Sequence, residues 1–468
     1  MNALVFAALL VPAGIPGAAT AQPGSGQSLP VLAQYTAPPQ RAPPAPPAPQ
    51  QLQSWNEALT LLRQRSTDLQ AALGQIEVAA GTWRVALANL LPSVGGELSA
   101  QYNILNPDIP AVGGGVGGGV GGGVSGAGGF TPTQLLGIGV LTANVPVVDL
   151  ASLYALGSAK ESRRTADLSL AETRRQLTRG LAQALVSVSS YERLAEVNRV
   201  NLRTALERLA LAQRRFELGA GTRLDVVRVE QDAQSARRNV VTGDENLRQA
   251  RESLGLALGT PTPVGIKPGL ELNTFLQGAN AACRTLESLE NRPDIAAARS
   301  RQVVAERAIG EVKRQYAPTL GITSTTTGLT VNPGFAEVPI WNIGASLVLP
   351  FWDGGAREGR LRQARGQLEQ ARADVTNRER NIAVEVTQAK RAVQVTRATR
   401  DLADRERRLA EENDRLTRRS FEVGTGTSFE LVQSAGALRQ AELELVIRDF
   451  QFRQAQVDAF LSEAACDW

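Results

Sequence analysis

The chain of 468 residues contains no histidine, one methionine and two cysteines. Without histidine there is no Ser-His-Asp triad, no imidazole proton shuttle and no His-ligated metal, and two cysteines cannot complete a Cys-His zinc cluster. Catalysis would fall to carboxylates, lysine or hydroxyls, and no paired carboxylates stand in a pocket-like context. An enzyme is therefore disfavoured, and neither cofactor nor metal is expected. Lysine is scarce too: four of the 50 Lys plus Arg. The arginines alternate with Asp and Glu, the net charge is only +4, and no basic block is interleaved with aromatics, so nucleic acid is not an expected partner. Also missing is any run of about 18 apolar residues, the length that crosses a bilayer as a helix. If this chain enters a membrane, it does so as strands.

What is present is sharply segregated. The apolar run Ala3 to Val11 is followed by Ala19-Thr20-Ala21, which fits a cleavage site before Gln22, so residues 1–21 read as a secretory signal. No cysteine follows the run to carry a lipid anchor. Export puts Cys283 and Cys466 where a disulfide can persist; a bonded pair and two separate structural thiols are the two readings. Residues 22–51 form a linker with seven prolines between Pro38 and Pro49, expected to be extended and without a core. Twelve glycines crowd Gly113 to Gly129, a loop that buries too little side chain to offset its ordering entropy and lacks the lysine of a phosphate cradle. Ile109 to Val148 carries no charge at all, and uncharged stretches recur at Gln315 to Ala336 and Val338 to Trp352.

The chain also repeats. Asp68-Leu-Gln-Ala-Ala returns 226 residues later as Asp294-Ile-Ala-Ala-Ala, and Leu91-Pro92 returns at the same spacing as Ala317-Pro318. The spacing falls to 204 for Val145-Pro146-x-x-Asp149 and Leu349-Pro350-x-x-Asp353, so the glycine tract belongs to the first copy alone. Phe216-Glu-Leu-Gly-Ala-Gly-Thr222 then matches Phe421-Glu-Val-Gly-Thr-Gly-Thr427 at 205. The copies occupy residues 52–262 and 289–465, with a linker at 263–288 and a tail at 466–468. A period of about 200 residues is a duplicated large unit rather than a solenoid.

Each copy predicts a helix, two strands, a long helix, a tight turn and a helix. No proline occurs from Asp149 to Leu218 or from Gly355 to Val423. Such stretches are roughly 100 Å of helix at 1.5 Å per residue. Leu181, Val188, Ala195, Leu202, Leu209 and Phe216 recur every seven residues, as do Leu361, Leu368, Val375, Ile382 and Ala389 and then Leu402, Leu409 and Leu416, with a stutter between the last two sets. These seams alone fit any coiled coil. The strands discriminate: Trp341, Ile343, Ala345, Leu347 and Leu349 alternate with smaller or more polar residues, with Pro318 to Val331 as hairpin partner across an Asn332-Pro333-Gly334 turn. Pro92 to Tyr102 and Leu135 to Val145 repeat the arrangement. Strands of 10 to 14 residues suit a bilayer, yet four cannot close a pore and an open edge is not tolerated in lipid, so several copies must pool them.

Together with the signal, the duplication, Arg292-Pro293-Asp294 opening the second copy and the two Phe-x-x-Gly-x-Gly-Thr turns, this pattern resembles the TolC-type outer-membrane efflux protein family over residues 52–465. The resemblance implies a mainly α fold with a transmembrane β-barrel contribution: long coiled-coil-like helices plus two strands per repeat, assembled as a homotrimeric barrel and periplasmic tunnel in outer-membrane lipid. It also implies a periplasmic adaptor and an inner-membrane transporter as partners, and the role of a passive exit duct. A periplasmic adaptor or a structural coiled coil of the envelope is the competing class. On residues alone, Gly219, Gly221, Gly424 and Gly426 can take positive φ and stop the long helices, and Thr222 and Thr427 can cap the next ones. In the family these turns form the periplasmic tip where adaptors dock and the tunnel narrows, and its carboxylates match Asp225 and Glu430. Arg223 and Arg228 are read as latches to neighbouring acids or as solvated cations. Gln433 and Gly426 stand where the family can place a further acid and an arginine.

Overall fold

The computed structural model describes residues 46–102, 104, 135–268, 272–330 and 340–468. The signal segment, the glycine tract and the Asn332-Pro333-Gly334 turn lie outside these. Among the described residues no helix is long and apolar enough to cross a membrane.

Helices α1 (Trp55–Arg65) and α2 (Thr67–Ala88) meet at Ser66, which ends the first by donating its N–H to Leu62 O and begins the second by accepting from Leu69 N. Strands β2 (Ser93–Tyr102) and β3 (Leu135–Val148) follow, and then α3 (Leu150–Glu217) runs unbroken for 68 residues to the first turn and α4 (Arg223–Ala257). The second copy repeats this series as α6 (Pro293–Arg314), β6 (Thr319–Leu329), β7 (Ile340–Val348), α7 (Ala356–Val423) and α8 (Ser428–Ser462). Asp149 accepts from Ser152 N to open α3, and Asp353 accepts from Arg357 N to open α7. Helix positions thus correspond at a spacing of 205 in α3/α7 and α4/α8, and of 226 in α2/α6. The single added residue after Asp353 lies at Gly354 and Gly355, both with positive φ.

The four long strands form one antiparallel sheet in the order β2-β3-β6-β7, so the two hairpins join through β3 and β6, with Ile138 opposite Leu329 and Val145 opposite Ile322. Among the described residues neither edge, β2 or β7, has an outer partner strand, and every residue of β7 is exposed.

The largest apolar core lies at mid-length, not between the strands. Leu52, Leu62, Leu181, Leu185, Leu254, Leu258 and Leu461 converge there, each worth about 2 kcal/mol in burial. Four short strands frame it: β1 (Gln50–Leu52) pairs parallel with β4 (Val264–Ile266), and β5 (Cys283–Thr285) pairs antiparallel with β8 (Ala464–Cys466). The expected linker at 263–288 therefore holds structure of its own, including α5 (Leu272–Ala282). Cys283 and Cys466 are cross-strand neighbours with their sulfurs bonded at 2.06 Å, closing a loop around the whole second copy.

Arg292, of the Arg-Pro-Asp motif, is buried beside this core. Its Nη1 donates to Ser462 O at 2.8 Å and its Nη2 to Glu385 Oε2 at 2.9 Å, while Arg175 Nη1 donates to Leu461 O at 3.1 Å. The two guanidinium groups satisfy carbonyls in the last turn of α8 and oppose the negative end of its dipole. One expectation needs correcting. Leu402, Leu409 and Leu416 are not a seam inside the chain but stand more than half exposed on α7, because α8 packs on the face that carries Arg400 and Asp414.

Candidate functional site

The two Gly-x-Gly-Thr turns lie side by side at the far end of the helices. The first glycine of each takes positive φ, Gly219 at +74° and Gly424 at +87°, where a side chain would strain the backbone. Gly221 and Gly426 do not adopt positive φ, contrary to expectation. They are small for a different reason: an added Cβ would lie 3.3 Å from Phe216 N and 3.0 Å from Phe421 N, against the end of the helix just completed.

Thr222 and Thr427 each build a reciprocal cap. Thr222 Oγ1 accepts from Asp225 N at 3.2 Å, and Asp225 Oδ2 accepts from Thr222 N at 2.9 Å. Thr427 Oγ1 accepts from Glu430 N at 3.3 Å, and Glu430 Oε2 accepts from Thr427 N at 2.9 Å. The expected carboxylates thus stand at equivalent places, each at the positive end of a helix. They differ in surroundings. Asp225 also accepts a short hydrogen bond from Ser428 Oγ of the other turn, which with the Thr222 bonds holds its carboxyl below the usual range. Glu430 is exposed, and the Thr427 backbone and hydroxyl alone depress its titration. Arg228 helps keep Asp225 ionised, and Arg223 is exposed.

The residues that tie the two hairpins together were not singled out by sequence. Arg215 donates to Phe421 O and lies over the Phe421 ring at 4.3 Å, so α3 grips the end of α7. One helical level higher, Arg208 Nη2 donates to both carboxylate oxygens of Asp414 at 2.9 and 2.8 Å, with side chains only 7% and 5% exposed. Ser434 Oγ adds a bond to Asp414 at 3.3 Å, and Arg439 pairs with buried Asp232 at 3.0 Å. Burial lowers the proton affinity of Arg208, and Asp414 opposes that effect. The available signal was Arg208 and Arg215 seven residues apart on one face of α3. Their acceptors lie 206 residues away, beyond the reach of a periodicity argument.

Among the described residues no cluster of three or more His, Cys, Asp or Glu side chains could hold a metal. The geometry offers charged helix ends at equivalent places in the two copies. The family described as "Outer membrane efflux protein" matches residues 58–260 and 286–458, one segment for each copy of the repeat. The chain belongs to the outer membrane efflux protein family.

Relatives of this efflux protein share low identity over most of its length. Nodulation protein T of Rhizobium leguminosarum bv. trifolii is 24% identical over 394 residues, 82% of this chain and 80% of that protein. The toluene efflux pump outer membrane protein TtgC of Pseudomonas putida is 22% identical over 391 residues, 81% and 76% of the two chains. The alkaline protease secretion protein AprF of Pseudomonas aeruginosa is 24% identical over 263 residues, 53% of each chain. Among solved structures, the outer membrane protein VceC of Vibrio cholerae aligns with a TM-score of 0.69 at 17% identity, covering 87% of this chain and 95% of that one. The CmeC outer membrane channel of Campylobacter jejuni gives 0.72 at 14%, covering 87% and 85%. The fold is that of these outer-membrane channel structures.

Proposed function

We propose that three copies of this chain form the exit duct of a tripartite efflux or type I secretion system. The duct passively carries substrates from an inner-membrane transporter through the periplasm and outer membrane, and a periplasmic adaptor docks at the paired turns. One observation carries the reading: a four-stranded sheet with exposed apolar residues and two unpaired edges, at the end of helices about 100 Å long. Unpaired edges cost several kcal/mol per backbone group in lipid, so the sheet is stable there only when closed by other copies. Two copies would give a barrel filled by its own side chains, whereas three supply about twelve strands and a lumen.

At the tip, Asp225 and Glu430, repeated about a threefold axis, become rings of carboxylates held ionised by their caps, an arrangement that favours cations and repels anions in a narrow pore. The test is fractionation of the native envelope followed by mass measurement in mild detergent. The protein is expected in the outer-membrane fraction at three times the chain mass. A soluble protein, or a monomer in detergent, would overturn the proposal.

A further inference from the structure

Cys283 opens β5 and Cys466 closes β8, and their bond spans 183 residues of chain. They are the only cysteines in the sequence, so oxidation within one chain has a single product and no wrong pairing to correct. In the folded chain both are buried in the mid-length core, at 7% and 1% exposure. A protein oxidant cannot reach sulfurs held there. The bond therefore forms before the core closes around it.

The segment that the bond secures ties distant parts of the chain together. β5 and β8 pair over only three residues, too little backbone pairing to hold two strands together in water. Yet the last residues are gripped from several sides. From the first copy, Arg175 Nη1 donates to Leu461 O, Thr178 Oγ1 accepts from Trp468 Nε1 at 2.8 Å, and Arg63 lies over the Trp468 ring at 5.4 Å. From the segment ahead of the second copy, Leu286 N donates to Glu463 O at 2.8 Å, and from α7, Lys390 Nζ pairs with the Glu463 carboxylate at 2.7 Å. The residues at the very end of the chain thus complete the core, and they do so only when β8 lies beside β5.

We propose that formation of this bond commits the exported chain to assembly, and that a periplasmic dithiol oxidant, a protein carrying an exchangeable disulfide, makes it. The proposal rests on the duct reading above and on residues 1–21 acting as the export signal. A chain exported N-terminus first presents Cys283 long before Cys466, so Cys283 has no thiol of its own chain to meet while the intervening residues cross. Its thiolate attacks the disulfide of the oxidant: a bond forms between the two proteins, the oxidant's own bond breaks, and the second sulfur of the oxidant leaves as a thiol. Cys466 then arrives and attacks the Cys283 sulfur, which forms the Cys283–Cys466 bond and releases the oxidant as a dithiol. Two thiols of the chain are oxidised, two electrons reduce the oxidant, and the two protons lost by the chain are matched by two gained on the oxidant's sulfurs. β8 is now held beside β5, Trp468 docks, and the core shuts over the bond. With both thiols free, the end of α8 is unheld, and so is the alignment of the helices that carry the sheet. Copies with misplaced sheets cannot close edge to edge in lipid.

The test uses the full chain in whole cells. Cys466→Ala is expected to accumulate a mixed disulfide between Cys283 and the oxidant, a reducible band distinct in mass from two linked chains and about tenfold above that of Cys283→Ala, whose remaining thiol emerges only at the end of export. Equal adducts from the two variants would contradict the order of attack, and no protein adduct from either would rule out the oxidant. In the wild type, alkylation after a short pulse of label is expected to find free thiols in monomers and only the bond in oligomers. Cys283→Ala with Cys466→Ala is expected to give exported, protease-sensitive monomers, with the yield of oligomer down about tenfold. Wild-type oligomers of three chain masses that carry free thiols, or a full yield of oligomer from the double variant, would overturn the proposal while leaving the duct standing. Absence of the wild type from the outer membrane would overturn both.

Discussion

In the proposed duct, Asp225 and Glu430 would each serve both fold and passage. Each closes a capping box, and the bonds that close it favour the ionised form, so the charge that would face a pore also starts a helix. Both carboxyls titrate below their ordinary range in the folded protein. The folded state then binds their protons less readily than the unfolded chain. Their contribution is complete above the unfolded value of about 4 and is lost as pH falls through the depressed folded values. Hydrogen exchange at the first turns of α4 and α8, corrected for intrinsic rates, is expected to be slow at about pH 6 and to accelerate below about pH 3.5, with α3 unaffected. Equal protection at both pH values contradicts this. Glu442 carries the opposite sign: burial raises its titration, so its charge weakens the fold at neutral pH.

At the scale of elements, buried polar pairs join the two helical hairpins near the tip. Arg208 and Asp414 illustrate the cost of breaking one. Arg208→Ala removes the two-bond partner of buried Asp414, leaving it Ser434 and the longer contact to Arg418, and is expected to destabilise by about 3 kcal/mol, whereas Arg208→Met with Asp414→Leu is expected to recover most of that loss. Thermal unfolding in detergent measures both, and equal melting of Arg208→Ala and the wild type would contradict the assignment. The elements themselves were readable from sequence. The absence of proline between Asp149 and Leu218 marked α3, and alternation from Trp341 to Leu349 marked β7 to within about one residue. What escaped was pairing across the duplication. Arg208 to Asp414 and Ser428 to Asp225 join residues 206 and 203 positions apart, and only the packed helices bring them together. The seam at Leu402, Leu409 and Leu416 was visible as a period, but periodicity does not say which chain covers it.

For the whole molecule, the missing histidine and scarce cysteine suit a duct with no proton shuttle or metal site. The hydrophobic fraction of 43% does not fill globular cores in one chain. Part lies in the mid-length core, and part is left on the sheet and on α7, where a single chain offers it nothing. The cysteines also act at this scale, since their bond ties the last strand, β8, to β5 just ahead of the second copy. In the proposed assembly, lipid around the strands and other copies beside the helices would complete the burial. Duct function follows from that completion, and so does its most direct test. The purified oligomer, inserted into planar bilayers, is expected to give discrete conductance steps with a cation preference that Glu430→Gln, alone or with Asp225→Asn, reduces; a correctly folded oligomer that inserts and passes no current would contradict the account.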